Sequence, residues 1–591
     1  MPRFPLAPLV AGMLAASVVL PLLAGDGLFM GAPVQVGKTA SGALINQAVL
    51  DNGKLVRHQD SKPYKLTEGV WILPGPMLNA AVIEGPEGLI VWETGEGLED
   101  GTRYRQAIRS FSDKPIKALI YSHSHYTKGA RTLLEGEKDV LTIGHPKLNE
   151  NMKIGGLGSY YPEVEPLQRS RAYQHAQIAL PEQGPDGKAG FAVSIGESGF
   201  VPVNTPVQHG EELVVAGVRL KFLSRGGSDT DDGITVWLPE RKVALNNLVW
   251  PWMPNFYTPR GAKYREPRDW SLALQDLIDL QPEYLVNQHA LPVSGSLKVQ
   301  QTLNNYRDFI NLVLDQTLRG ILQGKGPDEL RDFIKLPRHL AQDPWMFESY
   351  GQLDWYAPAI MNHALGWWDG DAATLVKLPP RASAERLVPL LGGRDKLLAE
   401  VRAAQGRGEL AWALELLGYQ FRLTPDDTET RQLKADLLRS SAHAATASIT
   451  RAFMLSQALA LEGKVRLPQV IPPNPAQIAA NPVRFVDELR VRVDPIKAQD
   501  TDALMRFDFI DASKPSAALH LRRGVALFIE QPAQYRRPAD FVLRLDAASF
   551  TALFLNKQSL GELLDSGKVE LSGDKAAATA FLALFDPYKV F

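Results

Sequence analysis

Tyr121-Ser-His-Ser-His-Tyr-Thr-Lys-Gly-Ala130 directly follows the apolar run Ile116-Lys-Ala-Leu-Ile120. An apolar, partly β-branched run that ends in His-x-His predicts a buried strand with two imidazoles in the loop at its end. His123 and His125 are therefore candidate metal ligands. Two residues do not complete a ligand set, so a solvated pair of histidines in a surface loop is the alternative interpretation.

Length and composition limit the class of protein. A chain of 591 residues is too long for one hydrophobic core, so we expect about three or four domains. The net charge of −2, with no basic block, argues against nucleic acid as a partner. The absence of cysteine from the sequence excludes disulfides and thiolate ligands, which leaves His, Asp, Glu or Asn to hold any metal.

Residues 1–24 predict an export signal. Arg3 precedes an apolar run without a charged residue, and small residues follow at Ala24-Gly25. We therefore expect an exported protein, periplasmic or secreted, that is cleaved near Ala24. The run is also long enough, at about 20 residues, to remain as a membrane anchor, and a buried N-terminal helix is a third possibility.

Short strands are predicted on both sides of the His-x-His run. The stretch from Gly69 to Glu93 has strand-like segments separated by Gly and Pro turns, and Val214 to Leu223 alternates as one strand. Strand pairs followed by a helix and another strand indicate a sandwich of sheets covered by helices.

Three further polar residues follow predicted strands. Asp229 lies in Ser228-Asp-Thr-Asp-Asp-Gly233, which also satisfies the pattern of an Asp-rich turn. Asn247 follows the strand in the region Lys242-Val-Ala-Leu-Asn-Asn-Leu-Val249, and His289 follows Tyr284-Leu-Val. A lone histidine in a loop is weak evidence for a metal site. His289 supports one only together with the other motifs, which occur in a consistent order along the chain.

The His-x-His run resembles the metallo-β-lactamase superfamily signature His-x-His-x-Asp-His, and its surroundings resemble the alkylsulfatases, hydrolases of dodecyl sulfate and related esters. Ala364-Leu-Gly-Trp-Trp-Asp-Gly-Asp371 and Leu563-Leu-Asp-Ser-Gly-Lys-Val-Glu-Leu-Ser-Gly573 extend this resemblance toward the C-terminus. It implies an α/β metallo-β-lactamase αββα sandwich at 60–300, an all-α dimerisation domain at 301–465 and an α+β sterol-carrier-protein-like domain at 480–591.

The resemblance also implies partners. We expect a homodimer through the helical domain, with Trp367-Trp368 in the core or the dimer interface. The ligand implied is an amphiphilic sulfate ester or another alkyl-chain compound. The last domain could contact the alkyl chain, although an ordinary closed core would give the same sequence pattern.

Site residues are assigned by the same resemblance. The implied metal ligands are His123, His125, Asp229 in place of a family Glu, Asn247 in place of a bridging Glu, and His289. Arg260 matches a sulfate-binding arginine, and Arg265 and Tyr173 are further substrate-binding candidates. For Arg265, a solvated loop position is the favoured alternative.

Thr127 and Lys128 stand where the signature has Asp and His, which predicts one zinc ion, or none, rather than two. At an effective dielectric near 20, an ammonium ~4 Å from a dication is repelled by about 8 kcal/mol. Deprotonating a lysine at pH 7 costs about 5 kcal/mol. Either penalty is a large share of the ~10 to 16 kcal/mol that a structural zinc site yields.

Lys128 and Thr127 remain candidate catalytic residues, with Lys128 supplying positive charge to the sulfate. We therefore expect a zinc-dependent hydrolase of sulfuric esters of aliphatic alcohols. The alternative is an inactive family member that binds an amphiphile or a partner as a dimer.

Overall fold

A computed structural model describes residues 34–75, 77–153, 160–190, 196–511 and 516–591. The export signal expected over residues 1–24 lies outside these ranges. Within them, no helix is long and apolar enough to cross a membrane.

The first half of the chain contains fifteen strands within the described ranges and six α-helices. The strands are β1 Val36–Lys38, β2 Leu44–Asn46, β3 Tyr64–Thr67, β4 Val70–Leu73, β5 Ala80–Glu84, β6 Leu89–Trp92, β7 Ile116–Ile120, β8 Leu141–Gly144, β9 Thr205–Pro206, β10 Glu212–Val215, β11 Val218–Leu223, β12 Thr235–Leu238, β13 Val243–Asn246, β14 Tyr284–Asn287 and β15 Val293–Ser294. The helices are α1 Gln47–Val56, α2 Leu98–Arg109, α3 Ala130–Leu133, α4 Leu148–Lys153, α5 Glu165–His175 and α6 Pro267–Leu280.

Two stacked sheets form the centre of this half. The seven-stranded sheet has the order β3 to β9 and the six-stranded sheet the order β10 to β15. Their inner faces share one apolar core, which includes Ile83, Trp92, Ile120, Phe222 and Val236. Side chains of α2 and α3 pack on the outer face of the first sheet, and those of α6 cover the second. The expected αββα sandwich is therefore confirmed.

The stretch predicted as one strand from Val214 to Leu223 is instead a hairpin. Val215 pairs with Val218, and the two loop residues Ala216 and Gly217 have φ of 48° and 75°. Two consecutive positive φ values define the type I′ turn that suits the twist of paired strands. The prediction was wrong because the alternation of apolar residues continues across the turn.

The candidate ligands lie at strand ends on one edge of the sandwich. The His-x-His loop follows β7, which runs parallel to β6, and Asn247 follows β13, which runs parallel to β14. Parallel strands end at the same edge, so the loops after them converge there. Asp229 comes from the loop between β11 and β12.

A helical region follows the sandwich. Its helices are α7 Ser296–Leu322, α8 Pro327–Leu330, α9 Arg338–Ala341, α10 Leu353–Leu365, α11 Pro380–Leu390, α12 Arg394–Gly406, α13 Leu410–Leu423, α14 Thr428–Ala444 and α15 Ser448–Leu461. Trp367 and Trp368, for which core and dimer interface were both open, are 67% and 41% exposed in the single chain. They therefore do not belong to its core.

The last region is a five-stranded sheet covered by helices. Its elements are α16 Pro475–Ala480, α17 Pro482–Glu488, β16 Asp502–Phe509, β17 Ser516–Arg522, β18 Val525–Ile529, β19 Phe541–Leu545, α18 Ala547–Phe554, α19 Leu560–Asp565, β20 Val569–Ser572 and α20 Lys575–Leu582. The strand order is β18-β17-β16-β19-β20. A cavity lined by Phe507, Phe550 and Phe585 measures about 60 Å³, well below the ~300 to 1,000 Å³ of typical small-molecule pockets. That volume favours the closed core over an alkyl-chain site.

Short 3₁₀ helices complete the described elements, at Ser124–Tyr126, Pro162–Val164, Pro239–Arg241, Pro344–Met346, Ala372–Val376, Leu489–Arg492 and Pro532–Gln534. The domain boundaries at 60, 300, 465 and 480 stay predictions.

Helix α5 joins the sandwich to the last region. Glu165 accepts a hydrogen bond from Arg169 at 3.3 Å, and its carboxylate also lies 3.6 Å from Arg484. Ser170 donates a hydrogen bond to the carbonyl oxygen of Pro468. At the other end of α5, the Nε2 atom of His175 lies 2.8 Å from the hydroxyl oxygen of Tyr350.

Candidate active site

His123, His125 and Asp229 converge at the edge of the sandwich. The Nδ1 atom of His125 lies 3.0 Å from Oδ2 of Asp229, and Nε2 of His123 lies 3.4 Å from Oδ1 of the same carboxylate. One ligand atom from each residue lies within 4.8 Å of the other two, which makes this the group of metal-ligating side chains found in the described ranges. The Asp-rich loop therefore turns Asp229 toward the imidazoles.

The residues around His123 prepare its Nε2 atom for a cation. Nδ1 lies 2.8 Å from Ser122 Oγ and 3.1 Å from the amide nitrogen of Asn247, and Ser122 Oγ accepts a hydrogen bond from Gln288 Nε2 at 3.0 Å. A proton on Nδ1, donated to Ser122 Oγ, leaves the Nε2 lone pair available, and it requires the Asn247 amide to present its otherwise unpartnered oxygen, rather than its nitrogen, to the ring. Nε2 is buried and has no hydrogen-bond partner in the described part of the chain. This orphaned atom fits a bound metal ion.

Burial and neighbouring charges set the protonation states of His123 and Asp229 to those that bind a metal ion. Burial lowers the pKa of His123 to about 4, so its imidazole is neutral near pH 7. Burial raises the pKa of Asp229, but His123 and His125 outweigh that effect and hold it well below its usual value. A neutral imidazole and an ionised carboxylate are the forms that bind a divalent cation.

Asn247, expected as a bridging ligand, contacts the ring of His123 from behind. Its amide faces Nδ1, the nitrogen that does not point at Asp229. In this position the amide orients the histidine. Its role as a ligand stays a prediction.

His289 lies beside the cluster but outside the group of three. Its Nδ1 donates to the carbonyl oxygen of Met77 at 3.0 Å, and its ring packs against Trp252 with centroids 5.7 Å apart. Burial lowers the pKa of His289 to about 4. The ring of Tyr126 also contacts His289, with centroids 5.1 Å apart.

Thr127 and Lys128 differ in where they point. The Thr127 hydroxyl donates to the carbonyl oxygen of Ser124 at 3.3 Å, within its own turn. Burial lowers the pKa of Lys128, and the nearby carboxylate of Glu96 raises it in part. Lys128 therefore has a carboxylate neighbour that offsets its charge, which the sequence did not reveal.

Two arginines lie next to the cluster. Arg265 is only 7% exposed, and its Nη1 donates to the carbonyl oxygen of Asn255 at 2.5 Å. Burial and the positive charge of Arg265 lower the pKa of Arg260. The favoured expectation of a solvated Arg265 was therefore wrong, because the loop after Trp252 folds inward and covers this side chain. Two neighbouring guanidinium groups, Arg265 buried and Arg260 half-buried, favour an anion.

Helix α5 brings His175, rather than Tyr173, against Tyr350. Residues two apart on a helix face different directions, so Tyr173 lies on another face of α5. The charges of Arg260 and Arg265 act on His175 and contribute, after burial, to lowering its pKa to about 3. His175 and Tyr350 were not identified from the sequence. The order of Arg169-Ser-Arg-Ala-Tyr-Gln174 gave a signal only for the helix as a whole.

Glu93 is a second buried group that the sequence did not single out. It follows β6 with a φ of 74°, and its Oε1 accepts a hydrogen bond from the backbone N–H of Ser122 at 2.9 Å. Oε2 has no partner among the described residues. Burial raises the pKa of Glu93 to about 8, so its carboxyl is largely protonated at neutral pH.

Three family models match consecutive parts of the chain. The metallo-beta-lactamase superfamily matches residues 74–289, alkyl sulfatase dimerisation matches 326–464 and alkyl sulfatase C-terminal matches 474–590. A linear primary-alkylsulfatase from Pseudomonas sp. is 32% identical over 85% of this chain and 98% of its own length. The chain belongs to the alkylsulfatase family.

Other relatives agree with this membership. An alkyl/aryl-sulfatase from Saccharomyces cerevisiae is 26% identical over 89% of this alkylsulfatase-family chain and 82% of the yeast protein. The solved structure of the stereoselective inverting sec-alkylsulfatase Pisa1 from Pseudomonas sp. superposes with a TM-score of 0.77 at 23% identity, covering 96% of this chain and 95% of that one. That similarity confirms the fold, and the superfamily together with the His/Asp cluster implies metal binding.

Proposed function

We propose that this alkylsulfatase-family protein hydrolyses alkyl sulfate esters at a single zinc ion held by His123, His125 and Asp229. The observation that carries the proposal is the convergence of their ligand atoms within 4.8 Å of one another. Three protein ligands of the His and carboxylate type leave an open position for water or substrate, which is typical of catalytic zinc. Bound zinc would supply Lewis-acid activation of water or of a sulfate oxygen.

The chain's own residues would bind and orient the ester. Arg260 and Arg265 would hold the sulfate oxygens, since a planar guanidinium matches two such oxygens at once. Ser122 would keep the proton of His123 on Nδ1, 2.8 Å away, and so fix the ring orientation. Lys128 would add positive charge next to the anionic group, with Glu96 limiting that charge when the site is empty.

An open cleft next to Arg260 is suited to the alkyl chain. It has a volume of about 270 Å³ and is lined by Pro259, Gln352, Asp354, Trp355, Thr450, Phe453 and Met454. Pro259 directly precedes Arg260 in the sequence. We infer that the alkyl chain of an ester bound at Arg260 would extend over this mostly apolar surface, the usual character of small-molecule sites.

The test is sulfate release from dodecyl sulfate by full-length protein, metal-depleted and then reloaded with zinc, with metal content measured on the same sample. We expect activity to return with about one zinc per chain. Folded protein that holds zinc and releases no sulfate from dodecyl, octyl or secondary alkyl sulfates would contradict the proposed activity.

A non-catalytic amphiphile-binding protein is the second candidate. The turn-directed hydroxyl of Thr127 and the replacement of family ligands by Lys128 and Asn247 favour it. This candidate predicts dodecyl sulfate binding by calorimetry without zinc and without turnover. Zinc-dependent sulfate release would eliminate it.

We also propose that the protein forms a homodimer through the exposed apolar segment after α10. Leu365, Trp367, Leu375 and Val376 are all exposed in the single chain, within the match to the dimerisation model. Light scattering of the purified protein should give twice the chain mass, and the double variant Trp367→Glu/Val376→Glu should give the chain mass. Retention of the dimer by that variant would contradict the placement of the interface.

Export through residues 1–24 is a further proposal, based on Arg3 and the following apolar run. N-terminal sequencing of protein recovered from the periplasm should begin near Gly25. A mature protein that starts at Met1 or Pro2 would contradict cleavage.

A further inference from the structure

A chain of buried polar side chains leads from the end of β14 to His123. Gln288, the residue after β14, donates from Nε2 to Ser122 Oγ at 3.0 Å, and Ser122 Oγ lies 2.8 Å from Nδ1 of His123. The side chains of Gln288 and Ser122 are fully buried. Polar groups enclosed in this way keep a fixed arrangement, because water cannot replace a hydrogen bond that is lost.

Glu93 holds the same serine from the neighbouring strand β6. Its Oε1 accepts a hydrogen bond from the backbone N–H of Ser122 at 2.9 Å, and the residue is fully buried. Its φ of 74° lies in the left-handed region, which persists for such a side chain only where the surrounding structure enforces it. Burial raises the pKa of the Glu93 carboxyl to about 8, and contacts with the side chains of Ser122 and Gln288 oppose that rise in part. Glu93 and Gln288 therefore meet at Ser122.

The donors and acceptors around Ser122 decide the tautomer of His123. A serine hydroxyl has one hydrogen to donate and two lone pairs that accept. Gln288 Nε2 occupies one lone pair, and the carboxyl of Glu93 offers an acceptor for the hydrogen. The second lone pair then accepts the ring hydrogen of His123 from Nδ1. The other tautomer would place that hydrogen on Nε2, a buried atom without a hydrogen-bond partner among the described residues.

We propose that Gln288, together with Glu93, is a positioning residue for His123. The two side chains hold the Ser122 hydroxyl so that it accepts the hydrogen of Nδ1 and leaves Nε2 free for a cation. This role rests on the proposed function only in that the cation is the zinc ion proposed above. A Gln288 that merely supported the fold would affect stability without changing the tautomer of His123.

Zinc affinity of the full-length protein gives the first test. Gln288→Met keeps the length of the side chain and removes its hydrogen bonds. We expect the zinc dissociation constant, measured by competition with a chelator of known affinity, to rise about 10- to 100-fold, the range for partners in the outer shell of a metal site. Glu93→Leu should have a similar effect, whereas Glu93→Gln, which keeps an oxygen for Ser122, should bind zinc as the wild type does. Unchanged affinity in a folded Gln288→Met protein would overturn the proposal.

Gln177→Met is the matched control. Gln177 is also buried, and the two ends of its amide bond to the backbone of Ala189 at 2.8 and 2.9 Å, outside the chain of contacts that leads to His123. This variant should keep the wild-type zinc affinity, and urea unfolding shows whether each variant is folded. A loss of affinity as large in Gln177→Met as in Gln288→Met would assign the effect to general destabilisation and overturn the proposal.

The tautomer of His123 gives the second test, on metal-free protein. NMR spectroscopy with isotope-labelled histidine rings distinguishes a hydrogen on Nδ1 from one on Nε2, and the signals of His123 are those lost in His123→Gln. We expect the hydrogen on Nδ1 in the wild type and in Gln177→Met. Gln288→Met should show a larger share on Nε2, because the freed lone pair lets the serine hydroxyl turn its hydrogen toward Nδ1.

A hydrogen on Nε2 in the metal-free wild type, or the same tautomer in Gln288→Met as in the wild type, would overturn the proposal. Wild-type protein that binds no zinc would contradict the proposed function, while the tautomers measured without metal would still decide this inference.

Discussion

The carboxylate of Asp229 spans His123 and His125, with Oδ2 3.0 Å from Nδ1 of His125 and Oδ1 3.4 Å from Nε2 of His123. The loop between β11 and β12 supplies the carboxylate, and the loop after β7 supplies both imidazoles. Loops from the two sheets of the sandwich thus meet at one point. Substitutions at four residues around this point, and at one residue of the neighbouring cleft, test separate parts of the proposed site.

Asp229→Asn should lower zinc affinity by more than about 100-fold. The amide keeps the size of the side chain and removes the negative charge, and partners in the outer shell of a metal site alone are worth about 10- to 100-fold. Competition with a chelator of known affinity measures the change. Asp229→Glu, which keeps the charge, should stay within about tenfold of the wild type, and equal affinities for all three proteins would exclude Asp229 as a ligand.

Asn247→Leu should weaken zinc binding by about tenfold, because the amide 3.1 Å from Nδ1 of His123 supports the ring from behind. Asn247→Asp should bind zinc at least as tightly as the wild type, since it adds a negative charge near the cation. The same chelator competition reports both. A larger loss in Asn247→Leu than in Asp229→Asn would indicate that Asn247 is a direct ligand.

Arg260→Lys should raise KM for dodecyl sulfate by roughly 10- to 100-fold, since an ammonium cannot make the paired contacts of a guanidinium. Arg268→Lys is the control, because Arg268 is exposed at the start of α6 and lies 4.0 Å from Glu266. Steady-state kinetics at fixed zinc measures both. Equal KM values in the two variants would mean that Arg260 does not hold the sulfate.

Phe453→Ala should raise KM more for dodecyl sulfate than for hexyl sulfate. Phe453 lines the cleft beside Pro259, and only the longer chain reaches far along that apolar surface. Burial of apolar area is worth about 25 cal/mol per Å², so a truncated aromatic ring should change KM by about fivefold or more. The same factor for both chain lengths would place the alkyl chain elsewhere.

The free energy of unfolding of the metal-depleted protein should fall as the pH rises from about 4.5 to about 8, because the buried carboxyl of Glu93 ionises in the folded state over this range. Burial raises its folded-state pKa to about 8, above the value of 4.5 for an exposed glutamate, so the folded state binds the proton more tightly in this window. The stabilisation from this proton is complete below about pH 4.5 and is lost as the pH approaches 8. Urea unfolding at several pH values measures it.

Glu93→Gln is the comparison for that pH series. The amide keeps an oxygen for the N–H of Ser122 and cannot ionise. Its unfolding free energy should therefore depend less on pH between 4.5 and 8 than that of the wild type. Parallel pH profiles for the two proteins would show that Glu93 does not titrate in this range.

Local sequence patterns predicted those parts of the site that depend on one strand and the loop after it. The apolar run before Tyr121 and the His-x-His pair predicted β7 and two inward imidazoles, and both positions follow from strand geometry. The family resemblance implied that Asp229 joins them, and an Asp-rich turn was the alternative. The family resemblance supplied the three-part architecture, which short-range patterns could not give.

Other features depend on chain segments far apart in sequence. Arg265 is buried because of the loop that leads back to Asn255, and Tyr350 comes from the helical region to meet His175. Tyr126 lies inside the signature, yet only the fold shows that its ring contacts His289. No periodicity or spacing contains that information.

Helix α5 has a consequence for how this protein can be dissected. Its first turn is held by Arg484, its middle by the carbonyl oxygen of Pro468, and its last turn carries the histidine that meets Tyr350. A fragment cut to the metallo-β-lactamase-like sandwich would therefore lose the residues that hold this helix in place. The smallest fragment that keeps α5 in place is close to the whole chain. The C-terminal region therefore supports an active site whose residues precede it by hundreds of positions.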